Sequence, residues 1–387
     1  MGKVSMSTRN EIIETQKAKY RLASKKEKTQ ILNSTCETTG LTRDHVARRL
    51  KDTSVKKVKK QKQKRGKKKY YGDECIEPLK YFWELMSYPC SKALAAGICQ
   101  VIDAIERHHS RIFEPDILKK LRTMSASTID RLLYSVKRKY SIKGRSTTKP
   151  GTLLRANIPV RLGTQWDENM PGFFEIDLVA HCGASVAGEY LNTLDVTDIF
   201  TGWTETMAVI NKAQKHVFEA LTRIRELIPF ELRGIDSDNG SEFINDQLYR
   251  YCLAEKIVFT RTRPYHKNDN CHVEQKNWSL VRKHIGYCRY EGLAAVNLMN
   301  AYYARLRLFS NFFFPQTKLI SKHNEGSKIY KKYDIYLTPY QKIINSDFIL
   351  QNKKDELEKQ FLSLDPILLN EEMRTIIMEL EKLNIRT

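Results

Sequence analysis

The sequence predicts a mixed α/β core preceded by two helical units, on three observations. Between Gly172 and Ile285, short β-branched and aromatic runs give way to an alternation of amphipathic helix and strand. Ahead of that stretch, residues 25–51 and 74–140 carry apolar side chains at helical spacing. The positive charge is gathered at one end: residues 1–72 hold 22 Lys and Arg against 6 Asp and Glu, in a chain of 387 residues with net charge +21. A length of 387 residues with 41% hydrophobic residues suits several packed cores and excludes a chain disordered throughout.

The first unit is read over residues 1–55 as a helix-turn-helix. Ile31, Leu32 and Cys36 line one helical face, Gly40 breaks the pattern, and Thr42 is placed to cap a second helix. That helix turns Val46 and Leu50 inward and Arg43, His45, Arg48 and Arg49 outward, a basic face suited to a DNA groove. Residues 56–72 form a basic linker. Its densest part, Lys56 to Lys69, carries ten cations in fourteen residues, among them Lys64, Arg65 and Lys67. Such a run repels itself into an extended arm, and each phosphate it neutralises releases counterions.

Residues 73–141 repeat the helical theme as a second DNA-binding domain. Two apolar helices over 74–86 and 91–109 lead to a short helix, a turn at Met124–Ser125, and a helix from Ser127. Arg131, Lys137 and Arg138 decorate its surface; an ordinary bundle with a solvated basic face reads the same way. Residues 142–168 are a polar, turn-rich linker. In the core, 172–180, 189–198 and 202–209 read as three strands, 213–228 as a helix, 232–238 as a strand, 241–254 as a helix, 256–261 as a strand and 271–285 as a helix. The tail from Ser346 turns acidic, with two helical runs that suit a hairpin docked on the core or on another subunit.

Three carboxylates stand out by context. Asp177 lies inside the first strand among Phe173, Phe174, Ile176, Leu178 and Val179, where a charge is costly without a partner or a cation. Asp238 ends the fourth strand before Asn239–Gly240, where α/β sheets present chemistry. Glu274 lies early on the last core helix, after a basic polar loop. Asp195, Asp198, Asp236 and Glu242 compete with them, and Asp236 shares a strand face with Asp238. Oxygen ligands without a His/Cys set suit Mg²⁺ or Mn²⁺ rather than zinc. Arg261, Arg263, His266 and Lys267 stand where they could position phosphates. Lys276 and Lys283, seven apart, extend that track or are solvated helix lysines.

The segments EIDLV (175–179), DSDNGSEF (236–243) and RPYHKNDNCHVEQKN (263–277) resemble the catalytic core of retroviral integrases and of DDE-type transposases of bacterial insertion sequences, over about residues 165–315. Thirty-five residues separate Asp238 from Glu274, as the family's motif has it. The resemblance implies an RNase H-like core over 169–312, with a mixed five-stranded sheet, flanking helices, and Asp177, Asp238 and Glu274 as catalytic ligands of two Mg²⁺ (or Mn²⁺) ions. It further implies a small basic β-domain over 313–345 and a helical tail over 346–387. The function implied is a transposase that cleaves element ends and joins their 3′-OH groups to target DNA. Its partners would be double-stranded DNA and further copies of itself, in the cytoplasm at the nucleoid. The His/Cys zinc domain of retroviral integrases is missing from the sequence, and a helper ATPase would be a separate chain, since no P-loop occurs. No apolar run reaches the ~18–20 residues of a membrane span. Eight scattered cysteines without C-x-x-C fit reduced thiols. A catalytically silent DNA-binding regulator and another RNase H-like nuclease are the alternatives.

Overall fold

Serine caps and one left-handed glycine set the N-terminal helices in the computed structural model, which describes residues 5–52, 70–110, 112–138, 170–238, 240, 242–262, 271–325 and 328–385. The chain divides into two units, Met1–Lys69 and Tyr70–Thr387. The first holds three helices, α1 (Met6–Leu22), α2 (Lys25–Thr39) and α3 (Arg43–Lys51). Ser24 and Glu27 close a capping box at the start of α2. Gly40, at φ 65°, ends it in a conformation that a side chain disfavours. Ile13, Tyr20, Leu32, Val46 and Leu50 form the core. Two expectations change here. α1 supplies Ile13 and Tyr20 to a core that the sequence reading built from two helices, and the Thr42 side chain makes no capping bond to α3. The basic linker lies outside the described residues.

The second unit begins with α4 (Ile76–Leu85), α5 (Ser91–His108), α6 (Pro115–Arg122) and α7 (Ala126–Lys137). A five-stranded sheet follows, built from β1 (Phe173–Ala180), β2 (Asn192–Asp198), β3 (Thr204–Val209), β4 (Gly234–Ser237) and β5 (Val258–Arg261). The strand order is β3-β2-β1-β4-β5, with β1, β2 and β3 antiparallel and β4 and β5 parallel to β1. α8 (Gln214–Leu227) and α9 (Asp246–Ala254) connect the later strands. The chain then runs through α10 (Cys271–Lys276), a π-helical turn (Asn277–Arg282) and α11 (Lys283–Ile285) into the long α12 (Gly292–Phe313).

Strand alternation gives the sheet two unlike faces. Phe174, Ile176, Leu194, Val196, Ile235 and Phe259 pack with Val217, Leu221 and Ile224 of α8 and Leu248 of α9. The opposite face carries Glu175, Asp177, Asp195 and Asp236: Asp177 pairs across with Asp195, and Glu175 with Asp236. α10 and α12 lie on the sheet, α12 against the edge strand β3. Two asparagines of α12 bracket that edge. Asn300 takes the N–H and C=O of Ala208 at 2.7 and 3.0 Å, and Asn311 those of Thr204 at 3.0 and 2.9 Å. Arg307 adds a two-pronged bond to buried Glu205, at 2.6 and 2.7 Å.

β6 (Leu319–Glu325) and β7 (Lys328–Tyr333) form a two-stranded hairpin, too few strands to enclose a core of their own, in the region read as a small β-domain. α13 (Pro339–Ile344), α14 (Gln351–Ser363) and α15 (Pro366–Lys382) follow. The break between the last two falls at Leu364–Asp365, because Asp365 caps the Ile367 N–H at 2.9 Å and Pro366 opens the new helix. α15 packs on α12 of the same chain. Phe82, Trp83, Leu94 and Leu133 belong to one hydrophobic cluster with Tyr303, Leu306 and Phe312 of α12 and Met373 of α15. The helices of 76–137 therefore share their core with the rest of this unit.

Two predictions follow from this packing. A Cβ at Gly97 would stand 2.7 Å from Pro315 Cγ and 2.8 Å from its Cδ, atoms of a rigid ring. Gly97→Val is expected to cost about 1–3 kcal/mol of stability, read as a lowered denaturation midpoint. Burial pushes the Asp195 carboxyl up to about 8, with Asp177 adding to the rise and Thr197 and Lys276 opposing it. Unfolded, it titrates near ~3.9. The native state then holds the extra proton between those values, so this group's contribution is full below pH ~4 and is lost as pH rises to about 8. Asp195→Asn is expected to gain on the parent protein across that window in urea titrations at pH 4, 6 and 8; a gap that stays constant with pH would refute the assignment.

Candidate active site

Asp177 sits at the centre of β1 because its neighbours Ile176 and Leu178 face the apolar side and the pleat turns it the other way. Its Oδ1 accepts the Leu178 N–H at 2.8 Å and its Oδ2 the Asn277 amide at 2.6 Å. Burial pushes this carboxyl up to about 7; Asp238 and Glu274 add to the rise, and the two hydrogen bonds oppose it. Asp177 on β1 thus feels both other carboxylates, which come from the end of β4 and from α10. Asp238 follows the last residue of β4, and its Oδ1 accepts the Gly240 N–H at 2.8 Å. Its carboxyl is raised by burial, with Glu242 adding to that and the Gly240 bond and Lys212 opposing it. Glu274 is exposed on α10. Among the described residues, no three His, Cys, Asp or Glu side chains stand together as a ready-made metal cluster.

Glu175 is one residue that sequence reasoning missed. It is buried, two positions before Asp177 on the same face, and its Oε2 accepts the His272 N–H at 2.8 Å and the Val273 N–H at 2.9 Å. These are N–H groups of the first turn of α10, which a helix leaves without partners of its own. Glu175 thereby fixes the start of the helix that carries Glu274. Burial drives its carboxyl well above the usual range, Asp236 and Glu274 add to this, and the two N–H bonds pull the other way. The signal was present in EIDLV, since strand alternation puts Glu175 beside Asp177. Asn277, three residues beyond Glu274, was missed for a different reason: its contact with Asp177 spans a hundred positions of sequence. Asp236 turns to Thr260, whose hydroxyl donates to Oδ1 at 2.5 Å.

The expected phosphate-positioning residues separate into groups. Arg43 and Arg48 are exposed on α3, where Arg43 bonds Asn33; Arg49 is half-buried and 3.7 Å from Glu14. Arg131 and Arg138 are exposed, whereas Lys137 bonds Asp130 at 2.7 Å and Ser91 at 2.5 Å. Arg261 ends β5, half-buried. Lys64, Arg65, Lys67, Arg263, His266 and Lys267 lie outside the described residues. Lys276 and Lys283 depart from the sequence reading. Lys276 is buried and its ammonium bonds the Gln316 side chain; burial pushes it down to about 7, with Asp195 opposing. Lys283 donates to the Ser87 and Tyr88 carbonyls, which lie in a turn of positive φ. Neither is a solvated helix lysine. The π-helical turn between them adds a residue to the winding, so a spacing of seven no longer returns to one face.

No model of a known protein family matches the chain. A solved structure of the HTLV-2 integrase catalytic core domain in complex with magnesium (dimeric form) is similar at 15% identity, covering 38% of this chain and 91% of that one, with a TM-score of 0.27. The uncharacterized protein y4rM of Sinorhizobium fredii (strain NBRC 101917 / NGR234) is 36% identical over 334 residues, which are 86% of this chain and 93% of that protein. The chain therefore belongs to the same family as y4rM.

Proposed function

We propose that the protein is a metal-dependent polynucleotidyl transferase of the RNase H-like kind, acting as a transposase that cleaves the ends of a mobile DNA element and joins them to target DNA. The observation that carries this reading is the elevation of one carboxylate by two others: Asp177 is pushed up by burial and then further by Asp238 and Glu274, across a five-stranded mixed sheet of the kind the sequence resemblance implies. Like charges gathered this way repel, and divalent cations cancel that repulsion. The donor set fits such ions in kind, being all oxygen with neither His nor Cys required. Asp177, Asp238 and Glu274 would hold two Mg²⁺ or Mn²⁺ ions, which when bound supply Lewis-acid activation of a phosphodiester.

The chain's own residues do the remaining work. Asn277 orients the Asp177 carboxylate through one oxygen. Glu175 fixes the register of α10, and so the position of Glu274. Arg43 and Arg48 give α3 a basic face for a DNA groove, and the basic linker adds affinity that depends on salt. Joining two ends calls for more than one copy of the chain on the DNA.

A catalytically silent DNA-binding regulator is the second reading. The lack of a ready-made metal cluster among the described residues is what favours it. A cleavage assay on labelled element ends with Mg²⁺ or Mn²⁺ decides. Asp177→Asn, Asp238→Asn and Glu274→Gln are each expected to lower cleavage and strand transfer by at least ~10²–10³-fold, as is removal of the metal with EDTA, while end binding persists. Full activity in all three variants would overturn the proposal. Glu175→Ala is expected to slow cleavage by about 10²-fold through misplacement of α10. Glu175→Gln retains most of the rate, because its amide oxygen still accepts both N–H groups.

A further inference from the structure

A basic hollow lies among the three N-terminal helices. The last turn of α1, the start of α2 and the end of α3 enclose about 390 Å³, lined by Tyr20, Lys25, Lys28, Thr29, Leu32 and Lys51. Tyr20 and Leu32 belong to the core of this unit, each 8% exposed, so packing sets the floor. The Lys28 ammonium, on a half-buried residue, stands 6.0 Å from the centre of the Tyr20 ring. Lys25 opens α2, Lys28 follows about one turn on, and Lys51 ends α3. None of these three lysines forms an ion pair among the described residues, and no carboxylate lines the hollow. The acids next to them in sequence, Glu27 and Asp52, lie outside the lining, and Glu27 accepts the Ser24 N–H at 2.7 Å.

Such a lining selects its ligand by charge and by one neutral donor. The Thr29 hydroxyl donates to the Lys25 carbonyl at 3.1 Å, so it is not available to an anion. The Tyr20 hydroxyl has no hydrogen-bond partner among the described residues, although the residue is 8% exposed. A phenol in the floor of a hollow, without a protein acceptor, calls for an acceptor from outside. Three ammonium groups and one O–H donor, with no acid among them, match a phosphate. The hollow also lies where a duplex would be held. Lys51 comes eight residues after Arg43 and three after Arg48, so at 100° per residue it falls between them on the exposed side of α3. A backbone seated here runs beside the groove that α3 would enter, and fixes the register of that helix without reading sequence. We propose that this hollow is a phosphate-binding site for the DNA backbone, with Lys25, Lys28 and Lys51 supplying the charge and the Tyr20 hydroxyl the neutral hydrogen bond. It rests on the proposed function only in taking DNA as the source of the phosphate.

The test uses the full chain in EDTA with a duplex of random sequence, so neither metal nor cleavage enters. Lysines are reductively methylated with and without the duplex and mapped by mass spectrometry. Lys25, Lys28 and Lys51 are expected to be protected, while Lys26, exposed on α2 and outside the lining, stays reactive. Inorganic phosphate in place of the duplex separates the sources: equal protection identifies a free phosphate as the occupant, and none identifies a backbone. Lys28→Gln and Lys51→Gln are each expected to flatten the plot of log affinity for the duplex against log salt by about one unit. Tyr20→Phe keeps the ring in the core and lowers affinity about fivefold, with the slope unchanged because no charge is removed. Protection of Lys26 equal to that of Lys28, no protection by either probe, or parent affinity in Tyr20→Phe overturns the proposal. A chain that is protected but does not cleave loses only the proposed reaction; one that cleaves without protection loses only this site.

Discussion

A buried carboxylate holding two backbone N–H groups is the constraint on which the rest of the site depends. Glu175 lies in the five-stranded sheet, and its two bonds to the first turn of α10 link the sheet to the helix with a precision that apolar packing does not provide. From that anchor the helix runs across the face of β1, and Asn277 meets Asp177 at the far end. The two contacts, one at each end of a short span, set both the height and the rotation of the segment between them. Glu274 sits on that segment. A change that freed the first turn of α10 would move the carboxylate without touching it.

The sheet also divides the protein's energetics. One face is closed by α8 and α9 with an ordinary apolar cluster, and folding there follows from area removed from water. The other face keeps Glu175, Asp177, Asp195 and Asp236 under cover, at a cost in desolvation that partners only partly offset. Lys276 belongs to this layer: its ammonium, buried beside Gln316, opposes the rise of Asp195. Acid and base thus moderate each other without a direct ion pair among the described contacts.

Much of this was legible in the chain. The alternation in EIDLV and the turn at Asp238 located two carboxylates, because strand period and strand ends are local properties. The strands and helices of the core fell within a few residues of their predicted places, except that the helix after β4 begins at Asp246 and the last core helix is interrupted by the π-helical turn. What escaped was non-local. Lys276 and Lys283 read as surface lysines because their partners, Gln316 and the Ser87–Tyr88 carbonyls, lie forty and nearly two hundred residues away. α1 escaped because its polar sequence, with only Ile13 and Tyr20 buried, has little apolar periodicity to detect. The sharing of one core by α4, α5, α7, α12 and α15 likewise depends on contacts that no window of sequence contains.

The paired asparagines on α12 have a consequence for how copies of the chain can meet. A border strand normally offers its unused rungs to any extended segment nearby. At β3 the rungs of Thr204 and Ala208 are already occupied by Asn311 and Asn300, and the helix bearing them blocks the approach. The sheet can be lengthened only past β5, whose four residues end at Arg261. Ribbon-to-ribbon polymerisation is therefore shut on the β3 flank, and any strand added to this sheet has to come in beside β5.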